Sequence, residues 1–167
     1  MSRTFPLAAL AMALAAPLPA LAQSTFTVRQ LTPEAALKVA QAALEQCRKG
    51  GYQVAVAVLD RGGVAQVVLR DRYAGAHTPE SAKGKAWTAI SFRGDTVGLA
   101  KATQSGEPSS GIRHIPGVVM VGGGVPIEAA GTTVGAVGVS GTPSGEADDG
   151  CARAGVKAIA DDLQLGG

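Results

Sequence analysis

The β-rich runs of this chain come in pairs joined by short glycine turns, and that ordering limits the fold more than any other feature. Residues 54–59 and 64–69 are rich in valine and leucine, and Asp60-Arg61-Gly62-Gly63 between them is a tight turn, so the two runs form a hairpin. A second group follows later in the chain: a short run at 118–121, then Gly122-Gly123-Gly124, Val125-Pro126-Ile127, a turn at Gly131 and a run at 134–140. Helical stretches lie before, between and after the two groups. Thr32-Pro33-Glu34 opens the first, with threonine as cap, proline in the first turn and glutamate at the positive end. Leu37, Ala40, Leu44 and Cys47 then recur at helical spacing up to Gly50-Gly51.

A second helix is expected over 79–93 with Ala82, Ala86 and Ala89 on one face, and a shorter one runs from a cap at Asp95 to Ala102. A loop rich in Gly, Ser and Pro covers 104–116, and a last helix over 146–163 carries Ala147, Cys151, Ala154 and Ala158 as its apolar stripe. Strands that come in hairpin pairs, instead of alternating singly with helices, make an antiparallel sheet. The expected architecture is therefore α+β: a single-domain α/β sandwich, with a roughly five-stranded antiparallel sheet and helices packed on it.

Composition agrees. The 167 residues are 46% hydrophobic and 17% charged, which suits one domain with its own core and excludes a disordered chain. A formal net charge of +2 and 4% aromatics leave neither the basic excess nor the stacking platforms of a nucleic-acid binder. No asparagine occurs, which removes N-glycosylation and Asn-Gly hairpin turns together.

Residues 1–22 read as a secretory signal. Arg3 is a short basic start, residues 7–16 are an unbroken apolar run, Pro17 and Pro19 break it, and Ala20-Leu21-Ala22 is a small-x-small cleavage site. Ten apolar residues are too few to span a bilayer, which takes roughly twenty. Residues 23–30 then form a short extension and 31–163 the domain, in a protein expected to be periplasmic or secreted. Cleavage takes Arg3 with it and leaves 14 basic against 13 acidic residues. Export places Cys47 and Cys151 in an oxidising compartment. Both lie on apolar faces of predicted helices. The two cysteines are expected to lie close together as buried free thiols, and a disulfide is the alternative if the two helices are neighbours on one sheet face.

Three short motifs carry structural readings. Gly122-Gly123-Gly124 lacks both P-loop and dinucleotide spacing and is followed by Pro126 and β-branched residues, so it reads as close backbone approach or a turned strand. Gly138-Val139-Ser140-Gly141-Thr142 misses the nucleophile elbow at its last position and is followed by a loop where that motif needs a helix. Arg93-Gly94-Asp95 is a three-residue adhesion match whose aspartate already caps a helix.

The two histidines, His77 and His114, do not supply the spacing of a zinc site, but a haem iron needs only one or two soft or nitrogen ligands. The available donors are His77, His114, Met120 and the cysteines, with Tyr52 and Tyr73 weaker. His77 is flanked in sequence by Arg70, Arg72, Lys83 and Lys85, cations suited to two propionates. A loop histidine bonded to backbone, with ordinary solvated charges around it, is the alternative. The absence of C-x-x-C-H excludes the usual covalent attachment.

The series Val58-Leu59-Asp60-Arg61-Gly62-Gly63, Ala74-Gly75-Ala76-His77-Thr78 and Ala82-Lys83-Gly84-Lys85-Ala86-Trp87-Thr88-Ala89 resembles the GlcG/HbpS family of haem-binding proteins. So do Gly122 to Ile127, the run from Val134 to Gly141, and Cys151-Ala152-Arg153-Ala154-Gly155. The resemblance implies a largely antiparallel α/β sandwich, symmetric homo-oligomers, and haem or related cofactor binding in some members. Others are tied loosely to glycolate, propanediol or redox-stress pathways. His77 matches the Gly-x-His-Thr pattern of one branch, which suggests it as the iron ligand, with Thr78, Arg72 and Lys83 as cofactor-binding neighbours.

The expected function is an exported haem-binding protein that senses or sequesters haem or responds to redox state, a binder more than an enzyme. The alternatives are an enzyme or accessory protein for a small organic acid, with the glycine-rich strand as its floor, and a ligand-free oligomeric scaffold. The signal reading has a direct check: intact-mass measurement of the exported protein should place the N-terminus at or near Gln23, and a retained Met1 would refute it.

Overall fold

The computed structural model describes residues 24–165, so the expected signal segment lies outside the described residues. Four strands form one antiparallel sheet in the order β2-β1-β4-β3: β1 (Ala55–Asp60), β2 (Ala65–Arg70), β3 (Gly124–Ala129) and β4 (Thr132–Ser140). The helices are α1 (Pro33–Lys49), α2 (Thr78–Phe92), α3 (Thr96–Ala102), α4 (Gly145–Lys157) and α5 (Ala160–Leu165). Each hairpin pairs with itself, and β1 and β4 join the two hairpins at the centre, from Ala55 opposite Ser140 to Asp60 opposite Gly135. The α+β sandwich is thus as expected, with four strands where roughly five were anticipated.

The missing strand is 118–121. Its donor at Val119 goes to the Thr88 hydroxyl on α2 at 2.8 Å instead of to a ladder partner, and Gly117 before it turns with φ +87°. The segment is pinned to a helix and not added to the sheet.

Helix ends follow local chemistry. Thr32 accepts from the Ala35 N–H at 3.2 Å, Asp95 from Gly98 at 2.7 Å and Ser144 from Ala147 at 3.2 Å, each satisfying an orphan first-turn donor. Two stripe assignments change. On α1 the buried face is Ala36, Val39, Ala40, Ala43, Leu44 and Cys47, while Leu37 is 41% exposed. The expected last helix is broken by a turn at Ala158 and Ile159 into α4 and α5, and α4 buries Asp148, Asp149, Cys151, Ala152 and Gly155. Ala147 and Ala154 are only partly covered and Ala158 is exposed, because α4 is rolled to turn two aspartates inward. Of these, Asp149 bonds Arg153, which also reaches the α3 cap at Asp95; the bond to Asp149, then the charges of Asp149 and Asp95, outweigh burial and hold this guanidinium above its ordinary pKa.

One face of the sheet packs Val54, Val56, Val58, Val137 and Val139 against α1 and α4. The other packs Ala55, Ala57, Leu59 and Ala136 against Ala82, Ala86 and Ala89 of α2. Small residues on both sides of this second interface bring backbone against backbone. A Cβ at Gly138 would overlap the Ala82 carbonyl and lie 2.8 Å from the Ala86 nitrogen.

Cys47 and Cys151 are joined as a disulfide with Cα atoms 5.5 Å apart, overturning the expectation of free thiols. The expected closeness of the two cysteines is borne out, since α1 and α4 cross on one face; Gly155 permits it, its position lying 2.7 Å from the Val39 carbonyl for any added Cβ. The bond closes a loop spanning 104 residues, which in the chain-entropy picture restricts the unfolded chain strongly. Replacing both cysteines by alanine should lower unfolding free energy by about 2–5 kcal/mol. Urea titration of the double variant against the oxidised parent measures this, and coincident curves would show that the bond contributes nothing.

Candidate functional site

The loop from β2 into α2 is fixed at both ends before it presents a side chain. Asp71 is buried at its start, where Oδ1 accepts from Arg48 Nε at 2.9 Å and Oδ2 from the Val54 N–H at 3.2 Å. Arg70 Nε donates to the Ala74 carbonyl at 3.1 Å, and the Thr78 hydroxyl to the Gly75 carbonyl at 2.7 Å. His77 then occupies the N-cap of α2 without using its side chain to cap it. Its imidazole lies back over the loop, and a Cβ at Gly75 would fall 2.8 Å from its Cε1, so that glycine makes room for the ring.

His77 and Thr78 line a cleft of about 510 Å³ between this loop, the 119–121 segment and the turn from β4 into α4. That is within the size range of small-molecule and cofactor sites. Tyr73, Val121 and Pro143 border it, and Tyr73 and Val121 are among the exposed large side chains.

Lys85 and Asp148 also line the cleft, and both side chains are 4% exposed. Lys85 Nζ donates to Asp148 Oδ2 at 2.7 Å and to the Val139 carbonyl at 3.0 Å. Asp148 Oδ1 accepts from the Thr142 N–H at 3.0 Å. The pair joins the two helix layers, which needs a gap in what lies between them, and Gly123 supplies it. A Cβ there would come within 2.7 Å of both the Asp148 Cβ and the Val139 carbonyl, and 3.2 Å of the lysine nitrogen. Gly122 and Gly124 are likewise closed in by backbone, so the glycine run is a packing feature, as expected, and not an open floor for a ligand. Ser140 lines the same cleft, yet both Asp148 oxygens are taken by Lys85 and Thr142, which leaves no carboxylate to orient a histidine toward it.

The other expected site residues are distributed more widely. Arg72 stands over the exposed Tyr73 ring at 6.0 Å and does not line the cleft. Lys83 pairs with Glu80 at 2.6 Å and borders a separate groove beside Trp87. Lys85, expected as a propionate partner, is instead committed to Asp148. Among the other donors, the cysteines are bonded to each other, Met120 is buried, Tyr52 packs against the main core, and His114 sits exposed in a 3-10 turn (Ser110–His114). The Lys85–Asp148 and Arg48–Asp71 pairs were not foreseen, since no spacing rule links partners 63 and 23 residues apart.

The domain has known relatives. Residues 31–157 match the family described as haem degrading protein HbpS-like. The chain belongs to the HbpS-like family. Crystal structures of HbpS, one of them a doubly substituted form from Streptomyces reticuli, superpose with a TM-score of 0.78 at 40% identity, the latter covering 87% of this chain and 98% of its own. A crystal structure of a PduOC:heme complex superposes with a TM-score of 0.74 at 31% identity, over 78% of this chain and 96% of that one. In sequence, an uncharacterised 15.0 kDa protein of Citrobacter freundii is 32% identical over 116 residues, 68% of this chain and 82% of its own length. The corrinoid adenosyltransferase PduO of Salmonella typhimurium is 32% identical over 106 residues, 62% of this chain but only 32% of the longer protein.

The buried pair beneath the cleft is open to direct test. Lys85→Ala should cost about 3–5 kcal/mol, because it strands the Asp148 carboxylate. Changing both residues to apolar ones of similar size should cost less. Denaturant unfolding of the two variants decides; equal losses would mean that the charges themselves are unimportant.

Proposed function

We propose that this HbpS-like protein is an exported haem binder that holds haem non-covalently at the cleft under α2, with His77 as the iron ligand and sensing or sequestration as its use. The observation that carries the reading is the donor inventory. With both cysteines in a disulfide and Met120 buried, His77 and Tyr73 are the donors left at the cleft rim. Family membership and the haem in the PduOC complex support a haem-associated role. The reading taken here is of a binder more than an enzyme.

The residues present fit the group. The His77 imidazole at the N-cap offers a nitrogen donor, and Val119, Val121 and Pro143 offer apolar contact for a macrocycle. Propionates would be met at the rim, where Arg72 needs only to leave the Tyr73 ring; Lys83 and Arg70 are farther candidates because each already has a local partner. Thr78 acts by shaping the loop through its bond to Gly75. Bound haem would supply an iron centre for ligand exchange or one-electron chemistry. Export to the periplasm or beyond fits a disulfide-linked domain, and a homo-oligomer completes the reading.

Haemin titration of the protein should give a saturable Soret band, and His77→Ala should shift or abolish it. His114→Ala should leave it unchanged. Acidification should weaken ligation, since a protonated imidazole has no lone pair for iron. An unaltered spectrum and affinity in His77→Ala would overturn the ligand, and absence of saturable binding would overturn the haem reading itself.

A further inference from the structure

At the opposite end of α2, about 22 Å from His77 along a helix of 15 residues, lies a second and unrelated cavity of about 420 Å³. It is bounded by the β1–β2 turn, the end of α2 and the β3–β4 hairpin, and its polar groups are Arg61, Ser91, Arg93, Glu128, Thr132 and Thr133. None of its three charged side chains belongs to an ion pair among the described residues. Two arginines therefore line one concave space with no ion-pair partner among the described residues.

The backbone around this cavity is held in unfavourable conformations. Among the described residues, the non-glycine positions at positive φ are Arg93, at +52°, and Ala130, at +48°. Arg93 lines the cavity, and Ala130 is the first turn residue of the hairpin whose Glu128, Gly131 and Thr132 line it. Glycine is the residue that suits a left-handed helix end, and the sequence has one at Gly94, one position too late to relieve Arg93. Nothing that the Arg93 backbone does requires a side chain: its N–H goes to the Ala89 carbonyl, as a glycine's would. Ala130 and Gly131 are both at positive φ because they form the two-residue turn that joins β3 to β4, which demands that conformation; Arg93 has no such requirement, and an arginine stands there where glycine would fit better.

We propose that this cavity binds a small oxyanion that carries its own O–H group, with inorganic phosphate as the simplest case. Arg61 and Arg93 present planar forks of N–H donors, the geometry that matches phosphate oxygens, and Ser91, Thr132 and Thr133 add hydroxyl donors. Glu128 sets the selectivity. A carboxylate in the cavity repels a fully deprotonated anion but accepts a hydrogen bond from a protonated one. Phosphate retains an O–H at neutral pH and sulfate does not, so the site should tell them apart. The inference does not depend on the haem reading, whose residues lie at the other end of α2.

Calorimetric titration of the full chain with inorganic phosphate, against chloride at matched ionic strength, should give saturable binding, with sulfate at least tenfold weaker. Arg61→Gln and Arg93→Gln should each weaken phosphate at least tenfold. Arg93→Gly, which suits the backbone and so keeps the fold by circular dichroism, should lose phosphate to the same extent. Glu128→Gln should narrow the gap between phosphate and sulfate. Phosphate heats no different from chloride, or arginine variants that bind like the parent, would overturn the site. Equal binding of sulfate and phosphate by the parent would overturn the role of Glu128.

Discussion

The ion pair between Lys85 and Asp148 ties together parts of the molecule that the sheet would otherwise keep apart. Lys85 belongs to the helix on one face and Asp148 to a helix on the other, and the contact exists because Gly123 leaves the space between them unfilled. Asp148 also fixes the turn after β4 through Thr142, and Lys85 fixes the end of β4 through Val139. Burying two charges is costly, and such a pair is seldom a net source of stability compared with apolar packing. Its value here is positional: it sets how α4 is rolled and where the wall of the cleft stands.

The same helix carries both candidate sites, one at each end. Its N-terminus brings His77 to the cleft, and its C-terminus holds Arg93 in the left-handed conformation beside Arg61. Between them, Ala82, Ala86 and Ala89 lie so close to β4 that a methyl group at Gly138 has no room. A helix seated backbone to backbone cannot slide or roll freely, because any shift meets main-chain atoms and not adjustable side chains. The positions of the two sites are therefore set by one rigid element.

Much of this was readable from residue order. The paired β runs, the Thr32 and Asp95 caps, the alanine face of α2 and the packing role of Gly122 to Gly124 all depend on local chemistry, and the structure has them. What escaped depends on partners distant in sequence. The roll of α4 follows from Lys85, not from its own apolar spacing, and the strand expected at 118–121 lost its ladder donor to Thr88. Of the residues lining the cleft, His77 and Thr78 were singled out by motif, whereas Lys85 was placed among the free cations because its aspartate lies 63 residues away. The strained Arg93 gave no signal, since a glycine next to it suggests an ordinary helix stop.

The disulfide encloses more than the two helices it joins. Every strand, the His77 loop and the long connection over 104–116 lie between Cys47 and Cys151, inside one covalent ring. A single backbone cut anywhere in that ring opens it without releasing a fragment. A protein nicked by a protease in the exposed connection would keep its full mass until reduced, and both halves of the sheet would stay tethered side by side. Wherever proteases reach the domain, that is damage tolerance built from one bond.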